Sequence, residues 1–463
     1  MTTAQGGPSD GAAPAPVRGE QRTRSRKAFG LALASNLGVM GLTFVTGTLN
    51  ARLLGPGGRG ELSAIQNVAS TASMLAMIGM PSAVGFYSSR QPGDARAITT
   101  TAAILCLLSC LPFVAATYAL MPVLLRSQSP QVVASGRMFL LLLFLQPAIA
   151  LPLGSLQGLS KFRIWSLLRI APNVAATAAI LTAWMSGAVT SGVVSRHYLV
   201  GLTVAMPLVY VALAFNSRGA WSFRRDLAPR LIRYGLPSAV MIPAGVVNLQ
   251  LDQLVMAAWF PSAMLGLYAV SVSWSALMSP LFTALGAALF PALAAVDDPA
   301  ERQRMVAPAL RSSVAVGAVL GAGLALVTPL LIPLFFGARF APAVPTALIL
   351  VAAGVALNVV SLCGELLRGL GAPRWPLYGQ LAALPVTVGV MALLLPLIGM
   401  AGAAVASLLA YSTAAYVNVL GISRCCGLPL RELLIPRRSD VARLASHLKA
   451  LVARQFGGAP RRG

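Results

Sequence analysis

Arg52-Leu-Leu-Gly-Pro-Gly-Gly-Arg-Gly-Glu-Leu62 interrupts two long apolar runs, 29–50 and 62–86. A Gly-Pro-Gly-Gly cluster reverses a chain sharply. Each flanking run has about 20 mostly apolar residues, the length a helix needs to cross the hydrocarbon of a bilayer. The stretch therefore reads as a tight turn between two membrane-spanning helices. Ten more runs of the same kind follow: 98–122, 135–157, 164–185, 197–215, 232–256, 265–290, 312–336, 343–366, 376–397 and 400–422. The expected fold class is an all-α integral membrane protein with twelve transmembrane helices. Composition agrees, with 57% hydrophobic and 10% charged residues, where a soluble domain carries about 25% charged. Mean hydropathy is +0.77. A soluble core of this make-up would leave too much apolar surface in water, which excludes a soluble enzyme and a disordered chain.

The net charge is +23, from 35 Lys and Arg against 12 Asp and Glu. On a soluble protein this would point to nucleic acid, but in a multi-spanning chain basic residues crowd the cytoplasmic loops. With the N-terminus placed inside, 28 Lys and Arg fall in the tails and inner loops. Six fall outside, namely Arg52, Arg59, Arg126, Arg137, Arg196 and Arg339, and Arg169 lies within a span. Both termini are thus expected in the cytoplasm, with no nucleic-acid partner. Residues 1–28 read as a disordered basic tail and 216–231 as a cytoplasmic linker. Residues 423–463 read as a second basic tail. In it Val441, Leu444, Leu448, Leu451, Val452 and Phe456 recur at helical spacing behind a Ser439-Asp440 cap, as in a short helix on the inner leaflet. Five cysteines without metal spacing and two histidines, His197 and His447, predict no metal site, cofactor or catalytic residue.

The chain also repeats itself. Gly60-Glu-Leu-Ser-Ala resembles Gly266-Leu-Tyr-Ala-Val, Pro122-Val-Leu-Leu-Arg resembles Pro333-Leu-Phe-Phe-Gly, and Gln157-Gly-Leu-Ser-Lys resembles Arg368-Gly-Leu-Gly-Ala. The offsets are nearly constant. They divide the spans into two six-helix lobes, 29–215 and 232–422, inserted the same way up. Parallel repeats of this kind place a substrate cavity between the halves.

Arg52 to Leu62, Arg233-Tyr-Gly-Leu-Pro237, Asn248-Leu-Gln-Leu-Asp-Gln253, Leu265-Gly-Leu-Tyr-Ala-Val270, Phe336-Gly-Ala-Arg-Phe-Ala-Pro342 and Arg368-Gly-Leu-Gly371 together resemble the Wzx-type polysaccharide flippases. The likeness covers roughly 29–422. These motifs are turn and packing elements, similar to those of the superfamily that joins multidrug exporters, lipid II flippases and polysaccharide flippases. The resemblance implies two six-helix bundles around a central cavity that opens alternately to either side. It implies movement of a polyprenyl-pyrophosphate-linked oligosaccharide from the inner to the outer leaflet of a bacterial cytoplasmic membrane. Membrane lipids and polysaccharide polymerase or glycosyltransferase machinery are the implied partners.

An anionic head group crossing a low-dielectric path needs basic partners. The candidates are Arg52 and Arg59 on the outer side, Lys161 and Arg163 at the inner mouth, and Arg169, followed by Pro172 and Asn173. Asp252 lies one turn beyond Asn248 on the same helix face, as expected of cavity residues that bind sugar hydroxyls or a cation. Glu61 reads as interfacial, paired with Arg59 or capping the second span. Glu365 reads as a local partner of Arg368. Other amides within spans are Asn36, Gln66, Gln146, Gln250, Asn358 and Gln380, each able to line a cavity or bridge two helices. Two further readings stay open: a multidrug exporter of the same fold, and a membrane polymerase or ligase acting on the same glycans.

Overall fold

The computed structural model describes residues 18–435 apart from positions 295 and 297. The expected tail helix at 441–456 lies outside the described residues. A backbone in hydrocarbon has no water to bond, so apolar runs fold as helices that satisfy their own N–H and C=O groups. The order is α1 (Arg18–Ala76), α2 (Met80–Arg90), α3 (Ala95–Leu124), α4 (Pro130–Phe139), α5 (Leu142–Gly158), α6 (Phe162–Leu168), α7 (Ala171–Met185) and α8 (Ser191–Asn216). After the linker come α9 (Ala228–Trp259), α10 (Ser262–Ser275), α11 (Ser279–Ala294), α12 (Pro299–Phe336), α13 (Val344–Gly369), α14 (Arg374–Ile398), α15 (Met400–Cys426) and the short α16 (Leu430–Leu434). No strand occurs among the described residues.

Nine helical stretches among these residues are long and apolar enough to cross a membrane, ten when the bent pair Gly38–Ala76 and Met80–Arg90 counts as one. The expected seventh span coincides with α9, which lies outside that set. The architecture is all-α and multi-pass, and the number twelve stays an expectation from the sequence. The helix α8 presents Val200, Val204, Leu208, Val211 and Phe215 outward, and α12 presents Leu326, Leu330 and Leu334. Such apolar faces are untenable against water and ordinary against lipid.

Two breaks shape the first lobe. At Gly55 (φ 67°, ψ −178°) the chain takes a conformation open to glycine, and Pro56 starts the second arm of α1 where its missing N–H costs nothing. The helix therefore resumes six residues ahead of the apolar run that begins at 62, a difference that matters below. Between α1 and α2 the axis bends by 45°, with Gly79 left-handed and Ile78 at φ 46°, a rare position for a β-branched residue.

Helices before the linker pack mainly on one another (α7 on α8, α2 on α5), as do those after it (α14 and α13 on α15). The lobes meet at two seams. At the Gly55 end α1 crosses α10, where a Cβ on Gly60 would lie 1.6 Å from the Ser262 carbonyl oxygen and one on Gly266 1.9 Å from that of Pro56. Only glycine permits this approach. Arg126 and Ser127 add hydrogen bonds to the Ala258 carbonyl at 3.1 and 2.8 Å. At the linker end Phe86 stacks on Tyr234 at 4.4 Å, and Tyr87 donates to the Arg230 carbonyl at 3.4 Å.

The linker is strapped to the start of α3. Arg96 donates to the carbonyls of Ala214 (2.5 Å), Ser217 (2.8 Å) and Gly219 (3.1 Å), a cation set on the C-terminal carbonyls of α8. Arg224 bridges Asp94 at 2.9 Å and Asp226 at 2.8 Å. Its hydrogen bond is the main cause holding the Asp226 carboxyl below the usual carboxylate range.

Candidate functional site

Two chambers adjoin along the second arm of α1. One, of about 510 Å³, lies between the lobes, walled by Thr43 and Phe44 of the first arm of α1, the second arm of α1, Gln253 of α9, Ser273 of α10 and Thr283 of α11. The other, of about 460 Å³, lies inside the first lobe among α1, α4, α5, α7 and α8, with Ser70, Phe139, Gln146, Pro172 and Tyr198 on its walls. Gln66 and Asn67 border both chambers.

The second arm of α1 explains this polar strip. Because the helix resumes at Pro56, Arg59, Ser63, Gln66 and Asn67 follow at spacings of four, seven and eight residues and share one face. Ser70 extends the same face. Asn67 spans the lobes by donating to Gln253 at 2.9 Å. Arg59 is the one charged side chain among the described residues lining either chamber. Its Nε is sealed from solvent and has no hydrogen-bond partner. A guanidinium left this way in low dielectric strongly favours an anion.

The remaining sequence candidates are dispersed. Arg52 donates its Nε to the Phe335 carbonyl at 2.7 Å and a terminal nitrogen to that of Leu334. It thus braces α1 against the C-terminus of α12. Arg163 and Lys161 are exposed at the start of α6. Arg169 sits at the break between α6 and α7, its guanidinium 4.6 Å from the Trp165 ring centre, a cation–π contact. Asn173 accepts from Thr43 at 2.9 Å, tying α7 to α1 behind the inter-lobe chamber. Asn248 donates to Gln380 (3.0 Å) and accepts from Thr387 (2.6 Å), bridging α9 to α14. The Asp252 carboxylate accepts from Tyr268 (2.6 Å), Ser407 (3.1 Å) and its neighbour's N–H (2.7 Å). These contacts lie inside the second lobe, joining α9 to α10 and α15. Glu365 pairs with Arg368 as its spacing suggested. Glu61 instead accepts from Ser191 at 2.7 Å.

Asn67, Gln253 and Tyr198 were not singled out from the sequence. The first two carried a usable signal, since each continues a polar face at helical spacing through an apolar run. Among the described residues no group of three or more His, Cys, Asp or Glu could hold a metal ion.

Comparison with solved structures places this architecture among known transporters. The lipid II flippase MurJ in an inward closed conformation superposes with a TM-score of 0.72 at 14% identity, over 93% of this chain and 94% of that one. An inward-facing multidrug resistance MATE family transporter of the MOP superfamily gives 0.67 at 14% identity, over 86% and 99%. A MOP superfamily transporter from Pyrococcus furiosus gives 0.58 at 16% identity, over 86% and 95%. At these identities the likeness is one of fold. No curated protein sequence matches the chain. The profile of a family described as polysaccharide biosynthesis protein matches residues 49–345, from the first turn through the crossing of α1 and α10 to the start of α13. The chain, built on the fold of the MOP superfamily transporters, belongs to that polysaccharide biosynthesis protein family.

Proposed function

We propose that the chain is a non-enzymatic flippase that moves a polyprenyl-pyrophosphate-linked oligosaccharide from the inner to the outer leaflet of a bacterial cytoplasmic membrane. Arg59 carries this reading: a guanidinium whose sealed Nε has no hydrogen-bond partner, in a chamber between the lobes with no carboxylate among the described lining residues. A pyrophosphate satisfies it, whereas a cationic drug is repelled. Membership of the polysaccharide biosynthesis family supports a glycan as the cargo. On this reading all twelve runs cross the membrane and both termini are cytoplasmic. Arg163 and Arg169 then meet the head group on the inner side, and the two lobes rock about the chamber.

Arg59 is tested by substitution. A charge-assisted hydrogen bond contributes roughly 1.5–3 kcal/mol, about 10- to 100-fold in transport. Arg59→Ala is expected to lose transport by that factor at normal abundance, read as lipid-linked oligosaccharide retained on the inner leaflet. Arg59→Lys keeps the charge but loses the planar fork and is expected to fall between. Wild-type transport by Arg59→Ala would refute the proposal.

Orientation is tested in a background with the native cysteines replaced by Ser. A membrane-impermeant thiol reagent applied to intact cells is expected to leave Ser222→Cys in the linker unlabelled and to label Ile398→Cys. Labelling of Ser222→Cys would reverse the topology.

A further inference from the structure

We propose that the chamber inside the first lobe is a saccharide subsite that selects the sugar joined directly to the pyrophosphate. The inference rests on the flippase reading and locates a part of the substrate that Arg59 does not contact.

The chamber is lined mainly by apolar side chains, with Gln66, Asn67, Ser70, Gln146 and Tyr198 as uncharged polar groups among them. Gln146 Oε1 is sealed from solvent and has no hydrogen-bond partner. The Gln66 amide and the Tyr198 hydroxyl make no hydrogen bond among the described residues. A sealed acceptor without a partner costs about 1–3 kcal/mol. A ligand bearing hydroxyls supplies donors and acceptors at once. The Tyr198 ring, held parallel to Phe139 at 5.9 Å and 23°, adds a flat apolar face of the kind that packs against the C–H face of a pyranose. An anion finds no cation among the described lining residues, and an apolar molecule leaves Gln146 Oε1 unpaired.

Position strengthens the assignment. Gln66 and Asn67 form the common wall with the chamber that holds Arg59. In a polyprenyl-pyrophosphate glycan the first sugar is bonded to phosphate, so its subsite must adjoin the pyrophosphate subsite. The volume of about 460 Å³ lies in the range of small-molecule sites.

The test uses the full-length protein in nanodiscs, with saturation-transfer NMR and thermal shift as readouts. The probes are inorganic pyrophosphate and the 1-phosphates of glucose, galactose, mannose, N-acetylglucosamine and N-acetylgalactosamine. At least one sugar 1-phosphate is expected to bind 10-fold or more tighter than pyrophosphate. Gln146→Leu and Tyr198→Ala are expected to erase that advantage while leaving pyrophosphate binding unchanged. Gln146→Leu is also expected to keep or raise Tm, because it removes a sealed, unpaired acceptor. A purely structural role would lower Tm instead. Binding of every sugar 1-phosphate no better than pyrophosphate, or an advantage indifferent to Gln146 and Tyr198, would overturn the subsite and leave Arg59 untouched. Pyrophosphate binding that survives Arg59→Ala would overturn the underlying flippase reading.

Discussion

Gly60→Ala is expected to abolish transport by holding the Gly55 end of the molecule open. The added methyl would sit 1.6 Å from the Ser262 carbonyl oxygen and 2.8 Å from the Gly266 nitrogen. Both are backbone atoms that no rotamer change can move. Gly266→Ala makes the mirror-image collision with Pro56 and Gly60. Overpacking a tight interface costs about 1–3 kcal/mol, more where nothing can shift. The cost falls only on the state in which α1 and α10 touch. An alternating carrier must leave that state to release its cargo, so the substitution unbalances two states rather than unfolding one. Even 3 kcal/mol changes their ratio by more than about 100-fold. A cysteine replacing Ser273 on the chamber wall, in the cysteine-free background, should become reactive from outside the cell in Gly60→Ala. In Gly57→Ala, whose added methyl meets nothing nearer than the Ser262 hydroxyl at 4.0 Å, it should stay as in the parent. Unchanged labelling with normal transport in Gly60→Ala would show that this crossing is not the closed seam.

The repeat behind that prediction was readable as an offset, but not as a contact. Two stretches matched at Gly60 and Gly266, yet only the fold shows that equivalent glycines of the two lobes touch each other. The all-α, multi-pass fold was legible because about 20 apolar residues admit one solution in a bilayer, whereas nine or ten of the twelve expected spans qualify among the described residues. The site was less so, for a local reason. With the second span placed at 62, Arg59 appeared as a loop residue beside Arg52. Starting the helix at Pro56 puts Arg59 on the face of Ser63, Gln66 and Asn67, while Arg52 lies across the break on the carbonyls of α12. Hydropathy marks where lipid begins and says little about where a helix begins in an interfacial turn. Asp252 and Asn248 illustrate a second limit. Their shared face followed from spacing, but α9 is packed on several sides, and the apolar pattern did not fix its rotation. A residue turns about 100° from its neighbour, so Gln253 faces the chamber and Asp252 the interior of the second lobe. The bend at Met77–Gly79 had no local cause beyond glycine. It is held by tertiary packing, with the Ile78 carbonyl oxygen 2.6 Å from where a Cβ of Gly235 would lie.

Asp252→Ala is expected to be the most destabilising single change in the second lobe. Tyr268, Ser407 and the Gln253 backbone all donate to this carboxylate, and all three side chains of the triad are buried. Removing the acceptor strands two hydroxyls away from water, while the Gln253 N–H keeps its helical i−4 carbonyl. At about 1–3 kcal/mol for each unsatisfied group, the loss is a large part of the margin by which many folds are stable. The expected result is severely reduced abundance and a large fall in Tm in detergent. Asp252→Asn keeps the shape and one oxygen, and the hydroxyls of Tyr268 and Ser407 can turn to accept from its amide. It should therefore fold and transport. Tyr268→Phe removes one donor, and the Asp252→Asn, Tyr268→Phe pair closes a double-mutant cycle in which coupling of about 1 kcal/mol or more is expected for groups in direct contact. The same variants separate a brace from an ion-coupling group. Asn preserves the hydrogen bonds but carries no charge, so a brace tolerates it and a proton or cation carrier does not. Normal abundance of Asp252→Asn with transport lost would reject the brace and identify the charge itself as the working element.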